Sequence, residues 1–274
     1  MIYRITDKEQ ELNKQLKKLA SGRVLELLEL LTEDEEVRVI QEYSNHVSVD
    51  RLNFNDHGPV HMRIVARNAL HLATLLRSQG IKLSLTKEGI GDQDDEDCAL
   101  LIAAFLHDIG MSLTRQIHEQ TALVIAMPII NRMLDTIYKD SAMKYVVRSV
   151  ALEAVLGHMG TVAINSYEAG IILVADGCDI ERGRAELVME HKKSDVSGVA
   201  KIGMVHQYSA YAIEKVRIEK GSQRSIAIII EMNNPTGYFQ VEETLLGKMN
   251  KSPIKKYIEV IVHSQGLATV TYLL

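Results

Sequence analysis

The sequence predicts a mainly α protein in which a helical bundle running to about residue 205 is followed by a small α+β domain. Three observations carry this reading. Leucines at 12, 16 and 19, then at 25, 27, 28, 30 and 31, follow a helical stripe with charge on the other side. Ala99 to Ile109 is apolar almost all round, the pattern of a helix buried in the middle of a bundle. After about residue 205 the pattern changes to short β-type runs separated by turn clusters.

Taken in order, Asp7 to Leu31 reads as helix. Gly58-Pro59 opens the next one, with Pro59 well placed as a first helical residue, an apolar face of Val60, Ile64, Val65, Leu72 and Leu76, and Gly80 at its end. Gly91 to Asp97 holds five carboxylates in seven residues; without the alternating oxygen pattern of a calcium loop, it reads as a solvated loop. Further helices are expected over Gln116 to Tyr138, with a kink at Pro128, over Ala142 to Leu156 and over Tyr167 to Met189. Their short connections suggest a compact helical domain. Strands are expected over Ala210 to Glu219 and Ser225 to Met232, with turns near Gly221 and over Asn233 to Gly237. A helix at Val241 to Met249 and strands at Lys256 to Ser264 and Ala268 to Leu274 complete the chain, dividing it into domains 1–205 and 206–274.

Composition narrows the function classes. The formal net charge is −5 and the basic doublets Lys17-Lys18, Lys192-Lys193 and Lys255-Lys256 are scattered, so there is no nucleic-acid footprint. Met1 to Gln10 carries charges where a signal peptide would need an apolar stretch, and the longest apolar runs, Ile171 to Ala175 and Ile226 to Ile230, are far too short to span a bilayer. Cys98 and Cys178 form neither a CxxC site nor a disulfide framework; two buried thiols in a reducing cytoplasm are expected.

The residues that carry chemistry centre on Leu106-His107-Asp108-Ile109-Gly110, at the end of the most apolar helix. An imidazole beside a carboxylate offers one borderline nitrogen and one hard oxygen donor, a pair suited to divalent transition metals. A buried aspartate also costs several kcal/mol, in order of magnitude, unless it is paired or metal-bound. Taken alone, the dipeptide is better explained by a helix end reaching solvent. Its companions change that. His61-Met62-Arg63-Ile64-Val65-Ala66 resembles the first histidine motif of HD-superfamily phosphohydrolases, Ala103 to Gly110 resembles their His-Asp helix, and Ala175-Asp176-Gly177-Cys178-Asp179 is similar to their closing aspartate segment. The order and spacing match over about residues 55–185, and the C-terminal run to Val241 resembles prokaryotic HD proteins that carry a small α+β domain.

The resemblance implies an HD-type helical bundle with His61, His107, Asp108 and Asp176 as metal ligands. It adds His118 and His158 as ligands of a second ion, with Asp108 bridging; each of these histidines also reads as a polar residue at a helix boundary. Together with Asp108, the candidate catalytic residues are His57, Asp179 and Arg184. His57 either lines the substrate mouth or caps its turn. Asp179, three residues after Asp176 and on the same face if helical, could orient a ligand histidine. Arg184 suits a phosphate, or else a solvated helix face.

The expected function is metal-dependent hydrolysis of a phosphomonoester or phosphodiester, nucleotide-like, by metal-activated water. Two divalent transition-metal ions are implied, with manganese, iron, cobalt, nickel or zinc favoured over magnesium. The α+β domain suggests a homodimer or a ligand sensor. Two other readings stay open: a di-iron oxygenase on the same ligands, and a regulatory HD protein with little turnover. Met111 stands where the cyclic-dinucleotide phosphodiesterases carry a lysine, and no Gly-Tyr-Pro follows His158, so that substrate is not expected.

Overall fold

The computed structural model describes residues 5–139, 141–185 and 204–274. Helix α1 (Asp7–Leu19) starts on a reciprocal cap between Thr6 and Glu9 and ends with Lys17 and Lys18, charges that suit the two poles of the helix dipole. The leucine stripe, expected as one run, breaks after α1. Gly22, at φ +53°, supplies left-handed backbone, and α2 (Gly22–Glu33) begins there.

A helix the apolar pattern does not show follows, α3 (Glu35–His46), capped by Asp34, which accepts from the Val37 amide at 2.9 Å. Two of its buried residues are polar and serve another element: Gln41 donates to the Phe105 carbonyl at 2.8 Å and Ser44 to that of Ile109 at 3.1 Å. A π-helical turn, Val47–Arg51, leads toward α4 (Pro59–Ser78), which begins at Pro59 as expected.

After the short α5 (Ser84–Glu88) comes α6 (Gln93–Leu106), and here one expectation fails. Gly91 to Asp97 is not a solvated loop; most of it is the first turn of α6. Asp92 and Asp95 cap each other's amides, and Asp94, Asp95 and Glu96 occupy the positive end of the helix dipole. Arg77 lies 2.8 Å from Glu96 and 2.9 Å from Asp97, which allows Glu96 to be buried. From Cys98 to Leu106 every residue of α6 is buried, so this helix is the axis of the bundle.

Helix α7 (His118–Tyr138) runs through Pro128 without ending there. Helices α8 (Met143–Gly157) and α9 (Tyr167–Gly177) follow. Expected to reach Met189, α9 stops at Gly177, and a 3₁₀ turn at Arg182–Arg184 follows. The remainder of that expected helix, and Lys192-Lys193, lie outside the described residues.

Helix α10 (Met204–Tyr211) includes Ala210 and Tyr211, which the sequence pattern assigns to a strand. Arg182 donates to the Tyr211 carbonyl at 3.2 Å, a cap from a distant segment that no local pattern contains. Strands β1 (Ile213–Lys220), β2 (Ile226–Met232), β3 (Ile258–Ser264) and β4 (Val270–Leu273) form one sheet in that order. The β1–β2 and β3–β4 pairs are antiparallel and β2–β3 is parallel, from Ile226 opposite Ile258 to Met232 opposite Ser264. A parallel pair needs a crossover. Here it includes a 3₁₀ turn (Pro235–Gly237), a π-helical segment (Gln240–Leu246) and its continuation Gly247–Met249, where a helix is expected.

A mainly α chain with a small C-terminal sheet is therefore the observed architecture. Ile226, Ile228 and Ile230 of β2 and Val260 of β3 join α4, α6 and α9 in one continuous apolar core. Among the described residues, no helix is long and apolar enough to cross a membrane.

Candidate metal centre

Four helix ends meet at one point, and each delivers an imidazole. His61 is the third residue of α4, His107 follows the last residue of α6, His118 opens α7 and His158 follows the last residue of α8. Asp108 comes directly after α6 in the sparsely populated bridge conformation, φ −99° and ψ 0°, and Asp176 is the penultimate residue of α9. All six side chains are buried. Gly110 allows this meeting, because a β-carbon there would lie 1.9 Å from the His118 carbonyl oxygen.

The donors form two corners about Asp108. Its Oδ2 lies 3.3 Å from Nε2 of His61 and 3.3 Å from Nε2 of His107, and Asp176 Oδ1 lies 3.3 Å from His61 Nε2. Its Oδ1 lies 3.3 Å from Nε2 of His118 and 3.3 Å from Nε2 of His158. The two nitrogens within each corner are 3.2 Å apart for His61 and His107, and 3.0 Å apart for His118 and His158.

The outer ring nitrogens explain why the inner ones are available. Nδ1 of His61 faces Asp179 Oδ2 at 2.6 Å. Nδ1 of His107, His118 and His158 faces the carbonyls of Ala104 at 3.0 Å, Arg115 at 2.9 Å and Val155 at 2.7 Å. A proton on each Nδ1 leaves an Nε2 lone pair aimed inward. Lone pairs so close repel one another unless a cation lies between them. Donors sharing one ion at about 2.0–2.2 Å stand about 3.0–3.5 Å apart. Asp176 Oδ1 is buried without a hydrogen-bond partner, as an oxygen suited to a metal would be. The residues present thus fit a metal, and the buried His/Asp groups around Asp108 could hold an ion.

Electrostatics agrees. Burial pushes the Asp108 carboxyl up, but His107, His57 and His118 outweigh it and hold Asp108 well below the usual range. Asp176 is likewise raised by burial and brought well below its ordinary value by Lys248 and His61. Burial lowers His158 to about 4 against the pull of Asp108, so this ring is neutral at pH 7, as a ligand must be. His61 is the exception: burial and Arg184 lower it, yet Asp108, Asp176 and Asp179 prevail and raise it to about 10, so its Nε2 carries a proton that a metal bound at this corner would have to displace.

Other residues singled out in the sequence divide. Asp179 lies beyond the end of α9, so it does not share a helical face with Asp176. A tight turn, Asp179 amide to Asp176 carbonyl at 3.1 Å, carries it to His61 instead. Arg184 is in the site, not on a solvated face. It donates to the Asp179 carbonyl at 2.9 Å, and its Nη2 is 3.3 Å from His61 Nε2. His57 is buried with Nδ1 2.6 Å from the Asn55 carbonyl, so it is held by its own turn while also lining the cleft. Two further carboxylates flanking this segment, Glu168 and Glu181, lie outside the centre and accept from the amides of Leu85 at 3.2 Å and Val216 at 2.8 Å.

Above the centre opens a cleft of about 490 Å³, reaching Asp108 and Asp176 at its floor. Its walls carry Arg115, Arg184, Lys248 and Lys251. Arg115, Lys248 and Lys251 are absent from the candidates read in the sequence. Two come from the crossover, where no motif marks them, and the nearest sequence signal is Gly170, whose missing side chain lets Ser252 and Pro253 approach α9.

Fold and site together define a mainly helical protein with a buried histidine–aspartate centre able to bind metal. No family model matches the chain, and no solved structure matches it. Over 230 residues it is 34% identical to the uncharacterized protein MJ1020 of Methanocaldococcus jannaschii, an alignment covering 84% of this chain and 85% of that one. The chain belongs to the same family as that archaeal protein.

Proposed function

We propose that this protein is a metal-dependent phosphohydrolase of the HD superfamily, holding two divalent transition-metal ions and acting on a small, nucleotide-like phosphoester. The observation that carries this reading is the position of Asp108, each oxygen of which faces a separate pair of imidazoles. His61, His107, Asp108 and Asp176 would hold one ion, and His118 and His158 with Asp108 the other. Bound there, such ions supply a water of pKa roughly 7 and offset charge on a phosphoryl group.

The protein's own groups support the rest. Arg115 and Arg184 stand at opposite corners, beside His118 and His61, where guanidinium groups can hold an anion over the centre. Asp179 keeps the proton of His61 on Nδ1. The volume suits a small molecule. Four cations against one further carboxylate, Glu243, on the cleft walls support an anionic ligand such as a phosphate ester.

The test is a metal-by-substrate screen of nucleoside mono- and triphosphates, cyclic nucleotides and a chromogenic phosphodiester, with Asp108→Ala as control. Turnover that needs a transition metal and disappears in the variant is expected. Full activity of Asp108→Ala would overturn the reading, as would an oxygen-dependent absorption band in iron-loaded protein without phosphoester turnover.

A further inference from the structure

Lys248 is not one of the six donors, yet it reaches the centre through Asp176 and lines the cleft. It lies on Gly247–Met249, in the crossover between β2 and β3. Its ammonium forms an ion pair with Asp176 Oδ2, with only 13% of its side chain exposed. The other oxygen of the same carboxylate, Oδ1, faces His61 Nε2 at 3.3 Å. Asp176 is therefore held from the crossover at one end and offered to the centre at the other.

The approach is built into α9. A β-carbon on Gly177 would lie 3.3 Å from Leu245 Cδ1 and 3.6 Å from Lys248 Cδ. Seven residues earlier on the same helix face, a β-carbon on Gly170 would lie 2.8 Å from Pro253 Cδ. Between these contacts Ser252 donates to the Gly170 carbonyl at 3.0 Å. Gly170 thus lets Ser252 and Pro253 lie closer to α9 than a side chain would allow, and at Gly177 Leu245 and Lys248 pack against the same face, which places Lys248 beside Asp176. An ammonium that only neutralised Asp176 would have no need of the cleft, yet Lys248 lines it beside Lys251. On the other walls stand Arg115 and Arg184.

We propose that Lys248 is a positioning and anion-binding residue of the active site. It orients Asp176 so that Oδ1 is presented to the His61 corner, and it contacts the phosphate group held above the centre. The C-terminal part of the chain then completes the site instead of acting as a detached sensor. The proposal takes its substrate from the phosphohydrolase reading, but its ligand, a phosphate-type anion, can be tested without turnover.

The experiment compares manganese-loaded full-length wild type with Lys248→Met, Lys248→Gln and Lys248→Arg. Inorganic phosphate binding is measured by calorimetry, metal content by elemental analysis, folding by thermal melting, and hydrolysis with bis(p-nitrophenyl) phosphate. Lys248→Met should bind phosphate at least tenfold more weakly and raise KM more than it lowers kcat, while Lys248→Arg recovers most of the affinity. If Lys248→Met does not fold, Lys248→Gln, which keeps a donor for Asp176 but no charge, should show the same loss. Equal phosphate affinity in wild type and the folded charge-removing variant overturns the proposal, as does a wild type that binds no phosphate. A wild type that hydrolyses nothing, yet loses phosphate affinity on Lys248→Met, would refute the hydrolase reading and leave the role of Lys248 standing.

Discussion

Gly110 and His118 are in such close contact that a β-carbon on the first would sit 1.9 Å from the carbonyl oxygen of the second and 2.6 Å from the Ala122 amide nitrogen. The obstruction is backbone, so no rotamer change relieves it, and α7 would have to retreat from the turn that carries Asp108. Gly110→Ala should destabilise the fold by about 3 kcal/mol in urea unfolding. It should also lower metal content after reloading, because His118 leaves Asp108 Oδ1. Wild-type stability and metal content in that variant would show that this contact does not set the start of α7.

Ligand count separates the two corners. Replacing His118 and His158 together by Ala removes both imidazoles facing Asp108 Oδ1 and none of those facing Oδ2. Metal content should fall from two ions per chain to one, with the fold intact and activity steeply reduced. Elemental analysis after reloading with excess manganese and desalting reads this directly. A wild type that never exceeds one ion per chain would rule out the binuclear arrangement.

Asp179 is predicted to act through His61. Asp179→Asn keeps an acceptor for Nδ1, 2.6 Å away in the native protein, but removes the charge that makes the ring a better donor. Affinity for the ion at the His61 corner should fall by about tenfold or more. Metal titration against a competing chelator measures it. An unchanged affinity would reduce Asp179 to a packing role.

Stability should respond to pH through Glu42. Burial, with Glu9 and Asp56 adding to it and Arg63 and Arg38 opposing, raises this carboxyl from 4.5 to about 7. Between those values the folded chain keeps a proton that the unfolded chain has released. The associated stability is therefore complete below about pH 4.5 and is lost as pH rises through 7. Glu42→Gln cannot ionise, so it should exceed wild type at pH 8 by about 1–2 kcal/mol once solvent screening at this half-buried position is allowed for. The advantage should shrink toward pH 4.5, and a Tm series across pH tests it. A difference that is the same at every pH would contradict the assignment.

Much of the architecture is legible because apolar periodicity is a local property. The stripe of α4 and the all-round apolarity of α6 announce both helices, and the β-branched runs announce the strands. What periodicity misses is polar residues with distant partners. Helix α3 is concealed because Gln41 and Ser44 are buried to satisfy carbonyls of the α6 segment, and α10 because its end is capped by Arg182. Asp95 and Glu96 look solvated in sequence because their partners, Tyr138 and Arg77, lie elsewhere in the chain. Four of the six donors, His61, His107, Asp108 and Asp176, are legible through ordered motifs, and His118 and His158 only through what the family resemblance implies. Asp179 is legible too, although the turn that aims it differs from the helical face its spacing suggests. Arg115, Lys248 and Lys251 are not, since a lone cation on a loop or crossover carries neither period nor motif.

The parallel pairing of β2 with β3 has a further consequence. Because such strands cannot be joined by a tight turn, a length of chain must travel from one end of the sheet back to the other, and here it travels along the rim of the cleft. All six donors lie at or before Asp176, whereas Gln240, Glu243, Thr244, Lys248 and Lys251 on the rim all belong to this return path. Apart from Lys248, which touches Asp176, and Gln240, which is buried and donates to the His206 carbonyl, these rim positions can change size or charge while the histidines and aspartates of the centre stay in place. On the phosphohydrolase reading proposed above, descendants of this chain would acquire new substrates through substitutions in one short stretch, with the histidines and aspartates of the centre inherited unaltered.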